Sequence, residues 1–113
     1  MATPLRILIT GANGLIGSAL ARTLAAPDRQ QHCTVRCLVR AGSDLTSLTS
    51  IRDRIEMATG DVTDPASLIA ALAHVDVVVH CAGVLRCRDL QRYYLVNRDG
   101  ARTLAETAVA AGT

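Results

Sequence analysis

Three glycines at equal spacing, Gly11, Gly14 and Gly17, carry the clearest chemistry in the chain. They follow a short apolar run, Ile7-Leu8-Ile9, and precede Leu15, Ile16, Ala19, Leu20 and Leu24, which recur at helical spacing. A buried strand, a tight glycine turn and a helix in that order make a cradle for phosphate. The first glycine permits the turn, the second lets a diphosphate approach the backbone, and the third lets helix and strand pack closely. Free N–H groups at the helix start and the positive end of its dipole face the anion. The motif Thr10-Gly-Ala-Asn-Gly-Leu-Ile-Gly17 has one more residue between its first two glycines than the pattern Gly-x-Gly-x-x-Gly.

A second group with chemical meaning is Arg40, at the end of a strand predicted from about His32 to Val39. In dinucleotide-binding folds a carboxylate at this point accepts a hydrogen bond from the adenosine 2′-hydroxyl, whereas an arginine accommodates a 2′-phosphate. No Asp or Glu lies in the strand or at its tip, and Asp44 is several residues further on. NADP is therefore the expected cofactor ahead of NAD.

Other reactive residues point to no site. Cys33, Cys37, Cys81 and Cys87 lack paired Cys-x-x-Cys spacing and read as free thiols. His32, His74 and His80 show no metal-ligand spacing with them, so no metal site is expected. All twelve basic residues are arginine, and the chain has no lysine.

The elements that must position these groups fit one α/β domain over residues 1–113. Half the residues are apolar and the formal net charge is +2, with the arginines scattered. That composition supports a packed core and gives no nucleic-acid footprint. Tyr93 and Tyr94 are the only aromatics, so the core must be built from Val, Ile, Leu and Ala. No apolar run reaches membrane-spanning length and the N-terminus does not resemble a signal peptide; a cytoplasmic location is the expectation. After the second strand, residues 43 to 53 carry Leu45, Leu48 and Ile51 at helical spacing and predict a short helix. Ile55 to Ala58 predict a third strand, ending at Gly60-Asp61-Val62. Asp64 is placed to cap a helix with Pro65 in its first turn. Val77 to Cys81 predict a fourth strand, apolar on both faces and therefore suited to the middle of a finished sheet. A long helix is predicted from about Leu90 to Ala111, with Arg102 and Glu106 paired on its polar face, Asn97 and Gly100 disturbing it, and Gly112 ending it.

Five segments, in order, resemble the extended branch of the short-chain dehydrogenase/reductases, especially the NAD-dependent epimerase/dehydratase group. They are the glycine motif; Leu38-Val-Arg40; Gly60-Asp61-Val62-Thr-Asp64; Val78-Val-His80-Cys-Ala-Gly83; and Val96-Asn97-Arg-Asp-Gly100-Ala-Arg-Thr-Leu104. The resemblance implies a Rossmann-type doubly wound parallel sheet, truncated to about four strands in the order 3-2-1-4. It implies that Gly11, Asn13, Gly14, Leu15, Ile16 and Gly17 surround the diphosphate and neighbouring ribose. By the same likeness Arg40 meets the 2′-phosphate of NADP, the cofactor preferred to NAD. Asp61 and Val62 flank the adenine, Cys81, Ala82 and Gly83 line adenine and ribose, and Asn97 lies near the active site.

The family's catalytic Tyr-x-x-x-Lys pair is missing: Tyr93 is followed four residues on by Asn97, and Tyr94 by Arg98. No catalytic residue is therefore assigned. The expectation is the cofactor-binding half of an NAD(P)-dependent reductase, epimerase or dehydratase. Its substrate would be a sugar nucleotide or small carbonyl compound, met only in a complete chain. The alternative is a non-catalytic NADP-binding sensor or regulatory module. A fourth strand at the sheet's rim exposes unpaired backbone groups. The chain is accordingly expected to be a fragment or to form a homo-oligomer, through the Val77–Cys81 edge or the final helix.

Overall fold

The computed structural model describes residues 3–113. Among the described residues four strands form one parallel sheet in the order β3-β2-β1-β4: β1 Leu5–Thr10, β2 Cys33–Val39, β3 Glu56–Thr59 and β4 Val77–His80. The helices are α1 Leu15–Leu24, α2 Pro65–Ala71, α3 Leu90–Tyr94 and α4 Gly100–Ala110.

The alternation of side chains along the two inner strands explains the layering. Ile9, Val35, Cys37 and Val39 point to one face, where they bury Ala21 of α1 and Ala25 at its C-cap together with Leu48 and Ile51. Leu8 and Leu38 point to the other face, against Leu68, Ala71 and Leu72 of the α2 region and Leu104 and Ala108 of α4. A strand buried on both faces cannot show the half-polar alternation of a surface sheet. That is why these runs are continuously apolar.

The register of β1 against both neighbours assembles the C-terminal edge. Thr10 lies opposite Leu38 of β2 on one side and His80 of β4 on the other. The ends of three strands, and the turns that follow them, therefore meet at one edge of the sheet.

Four local expectations are corrected. The segment after β2 is a 3₁₀ helix, Thr46–Arg54, not an α-helix. Asp64 occupies the N-cap of α2 without a side-chain bond; the Ser67 hydroxyl ties this turn instead, accepting from Asp61 N at 2.9 Å and donating to Asp64 O at 2.7 Å. The long final helix is divided by one turn of π-helix, Leu95–Asp99, between α3 and α4. Among the described residues, no salt bridge joins Arg102 to Glu106; Arg98 and Asp99 pair there instead, at 2.8 Å. As the order 3-2-1-4 led one to expect, the fourth strand lies at the rim of the sheet, paired with β1 alone.

At the opposite edge of the sheet an ionic cluster joins three strands. Glu56 of β3 accepts from Arg6 of β1 at 3.1 Å and from Arg36 of β2 at 3.0 Å. Arg36 also donates to Ala71 O and Ala73 O, at 2.6 and 2.9 Å, satisfying carbonyls left open at the C-terminus of α2.

Candidate functional site

At the C-terminal edge of the sheet a cleft of about 210 Å³ opens between the turn after β1, the ends of β2 and β3, and the segment after β4. Its floor is the glycine turn. Gly11 has φ +61°, a conformation that side chains rarely adopt, and a Cβ there would stand 2.7 Å from Ala82 Cα. Gly17 is buried in the first turns of α1, where a Cβ would fall 2.3 Å from Gly11 O. Gly14 differs from both. A Cβ there would meet only Gly11 O, at 3.3 Å, so its bareness serves the open side of the turn. It is also the N-cap of α1 and has no side-chain cap, which leaves the N–H groups of the first turn to an outside acceptor.

Behind the turn, Thr10 is fully buried and organises the end of β4. Its Oγ1 accepts hydrogen bonds from Cys81 N at 3.0 Å and Ala82 N at 3.1 Å. Its one hydrogen then goes to His80 Nδ1 at 2.7 Å, which fixes the neutral imidazole with its proton on Nε2. Partial burial holds His80 below its usual pKa, in keeping with that neutral form.

The wall from β3 carries Asp61 and Val62. The Asp61 carboxylate accepts from Thr63 N at 2.9 Å and Thr63 Oγ1 at 2.8 Å. The backbone bond is the main reason its carboxyl lies below the usual range; the nearby Arg40 and Arg92 act in the same direction. The facing wall is Cys81, Ala82, Gly83 and Val84. Asn97, within the π-helical turn, holds that wall in place with both ends of its amide: Oδ1 accepts from Val84 N and Nδ2 donates to Val84 O, each at 2.8 Å.

Of the residues singled out from sequence, the structure gathers Gly11, Asn13, Gly14, Arg40, Asp61, Val62, Cys81, Ala82 and Gly83 around the cleft. Leu15 and Ile16 point outward, 88% and 74% exposed. Gly17 packs beneath the turn, and Asn97 stands behind Val84. Leu38, Val39, Gly60 and Thr63 also line it, as do Thr10, Val84, Val96 and Arg92, none of which was given a site role from sequence. Tyr93 and Tyr94 pack edge to face outside the cleft, with the Arg98 guanidinium over Tyr94. Cys37 is enclosed in the core and burial pushes its thiol up to about 11, so it is unreactive. Among the described residues no group of three His, Cys, Asp or Glu could hold a metal, and no helix is long and apolar enough to cross a membrane.

Residues 7–113 match the sequence profile of the NAD dependent epimerase/dehydratase family. Among curated relatives, the chain is 38% identical over 114 residues to a ceramide reductase of Caulobacter vibrioides, covering 99% of this chain and 34% of that protein. It is 36% identical over 107 residues to the sterol demethylase protein B of Methylococcus capsulatus, covering 93% and 31%. The crystal structure of DesIV, a dTDP-glucose 4,6-dehydratase from Streptomyces venezuelae with NAD and TYD bound, superposes with a TM-score of 0.79 at 27% identity. That superposition covers 96% of this chain and 37% of the other. The chain thus spans about a third of the length of the relatives it matches.

Proposed function

The chain belongs to the NAD dependent epimerase/dehydratase family, and on that premise we propose that its cleft binds the adenosine and diphosphate portion of NADP. The observation that carries the reading is the bare, uncapped turn at Gly14, beside a cleft with Arg40 at its rim. The cleft is smaller than the roughly 300–1,000 Å³ of a usual small-molecule site, which suits one half of a dinucleotide better than the whole.

In this reading the turn from Gly11 to Gly17 takes the diphosphate, with Leu15 and Ile16 contributing backbone at the start of α1. Asn13 closes one side of it, tied to Asp44 O and Ser47 Oγ. Asp61 and Val62 flank the adenine, the carboxylate oxygen not engaged by Thr63 accepting from the exocyclic amine. Cys81, Ala82 and Gly83 line the ribose, and Asn97 keeps their segment in position. Arg40 meets the 2′-phosphate. The nicotinamide, when bound, supplies hydride transfer.

Residues 1–113 form one nucleotide-binding domain in this proposal. With no lysine and no Tyr-x-x-x-Lys pair, they bind cofactor without turning substrate over. The activity of a complete protein would be that of an NAD(P)-dependent reductase, epimerase or dehydratase acting on a sugar nucleotide or carbonyl compound. The test is calorimetric titration with NADP and NAD in parallel, repeated on Arg40→Ala. NADP should bind more tightly, and the substitution should weaken NADP much more than NAD. Equal losses would refute the 2′-phosphate assignment, and an absence of binding to either would refute the site.

A further inference from the structure

A single cation at the rim does not account for the charge a 2′-phosphate brings. Asp61 stands in the same cleft with its carboxyl held below the usual range, so it is ionised at neutral pH. One guanidinium against one carboxylate leaves no net charge to meet a phosphomonoester of about −1.5 to −2. The remaining charged group in the lining is Arg92. Two guanidiniums against one carboxylate leave one net positive charge in the cleft.

Arg92 is held in place by local structure. It sits on α3, whose N-cap Asp89 accepts from Gln91 N at 3.0 Å and from Arg92 N at 3.4 Å. That cap starts the helix from which Arg92 lines the same cleft as Asp61. Among the described residues no side chain or carbonyl accepts a hydrogen bond from the Arg92 guanidinium, nor from that of Arg40. Arg6, Arg22, Arg36, Arg54 and Arg98 are engaged, whereas the other arginines are open like these two; what sets Arg40 and Arg92 apart is that they line the cleft. Two arginines with open donors therefore line one small cleft with a carboxylate between them in charge terms.

We propose that Arg92 is a second specificity residue for the adenosine 2′-phosphate, acting with Arg40 to offset Asp61. This rests on the dinucleotide reading of the cleft. A guanidinium offers several donors in a fixed plane, and each charge-assisted bond to phosphate is stronger than a neutral one. Asp61 then has two tasks: it marks the adenine, and it makes the second arginine necessary. Without Arg92 the same cleft would favour the uncharged 2′-hydroxyl of NAD.

The experiment uses two small probes that isolate this end of the cofactor, adenosine 2′,5′-bisphosphate and 5′-AMP. Each is titrated calorimetrically into wild type, Arg92→Gln, Arg92→Lys and Arg102→Gln. The last removes one exposed charge outside the cleft. Arg92 is itself exposed, so circular dichroism should show all four proteins equally folded. Arg92→Gln is expected to weaken the bisphosphate about tenfold, the loss of one charge-assisted contact. It should leave 5′-AMP within about twofold, as should Arg102→Gln for both probes. Arg92→Lys should recover part of the bisphosphate affinity. Equal losses for both probes in Arg92→Gln, or no loss for either, would overturn the role of Arg92 while leaving the site intact. Wild type binding neither probe would instead overturn the dinucleotide reading itself, and the role of Arg92 with it.

Discussion

The Thr10 hydroxyl, wholly buried, donates its only proton to His80 Nδ1 at 2.7 Å because its lone pairs are already taken by the backbone of Cys81 and Ala82. Protonating Nδ1 would set two donors against each other across the β1–β4 junction. Burial also lowers the imidazole pKa from 6.5. The unfolded chain therefore takes up a proton before the folded one does. Stability is complete above pH 6.5 and falls as pH drops from there toward the folded-state value. Urea denaturation at pH 7.5 and 5.5 should show a lower midpoint at the acid value. His80→Asn, whose Oδ1 can still accept from Thr10 but does not titrate, should shrink that difference. An unchanged difference would refute the assignment.

The three glycines of the turn should separate in their effects. Gly11→Ala combines a positive φ with a 2.7 Å approach to Ala82 and should cost about 2 kcal/mol or more. Gly17→Ala drives a methyl to 2.3 Å from a carbonyl oxygen and should cost about 3 kcal/mol. Gly14→Ala should cost less than about 1 kcal/mol, since its nearest neighbour is 3.3 Å away. Thermal melts of the three variants test the order. If the proposed site is right, Gly14→Ala should nonetheless lose dinucleotide affinity, because the methyl would stand on the open side of the turn that the proposal gives to the diphosphate.

Asn97 is expected to control the order of the wall it holds. In Asn97→Ala the Val84 amide loses its 2.8 Å acceptor and should exchange with solvent about tenfold faster, the equivalent of one hydrogen bond. Amides of β1 should be unaffected. Hydrogen exchange followed by NMR reads both. A Val84 amide that stays protected would show that the clamp is not what orders the segment.

The ionic cluster at the far edge should matter to stability and not to binding. Arg36 has 14% of its side chain exposed and serves Glu56 and two carbonyls at the end of α2. Arg36→Ala should cost about 2–3 kcal/mol in urea denaturation and leave NADP affinity unchanged. Burial acts to raise the carboxyl of Glu56, but the hydrogen bonds and charges of Arg6 and Arg36 outweigh it, and the net shift is downward. This contribution is therefore fully present above pH 4.5 and is lost as pH falls through the folded value. Arg36→Ala should flatten the acid limb of the stability profile.

Much of this arrangement was legible in the residues. Runs apolar on both faces, such as Leu8-Ile9 and Leu38-Val39, indicated a covered parallel sheet, whereas the order β3-β2-β1-β4 came from the family resemblance of the motifs. The glycine turn was visible because only glycine satisfies both a positive φ and a near-contact with backbone. The Thr10–His80 pair was not visible, since it depends on a parallel register joining residues 70 apart. The π-helical turn was hidden for another reason: its residues suit an α-helix equally well, and Asn97 and Gly100 only hinted at the irregularity. Arg92 carried no signal, being one of many arginines on a helix too short to show a period. Its meaning comes from the cleft.

The close fit of Gly11 against Ala82 has a mechanical consequence. The floor of the cleft and its far wall touch backbone to backbone, and Thr10 pins them from behind, so these two surfaces form one unyielding corner. A ligand cannot prise that corner apart; it slides in along it. The side that bears α3 has no such backbone contact with the floor, and there the exposed Arg92 lines the opening.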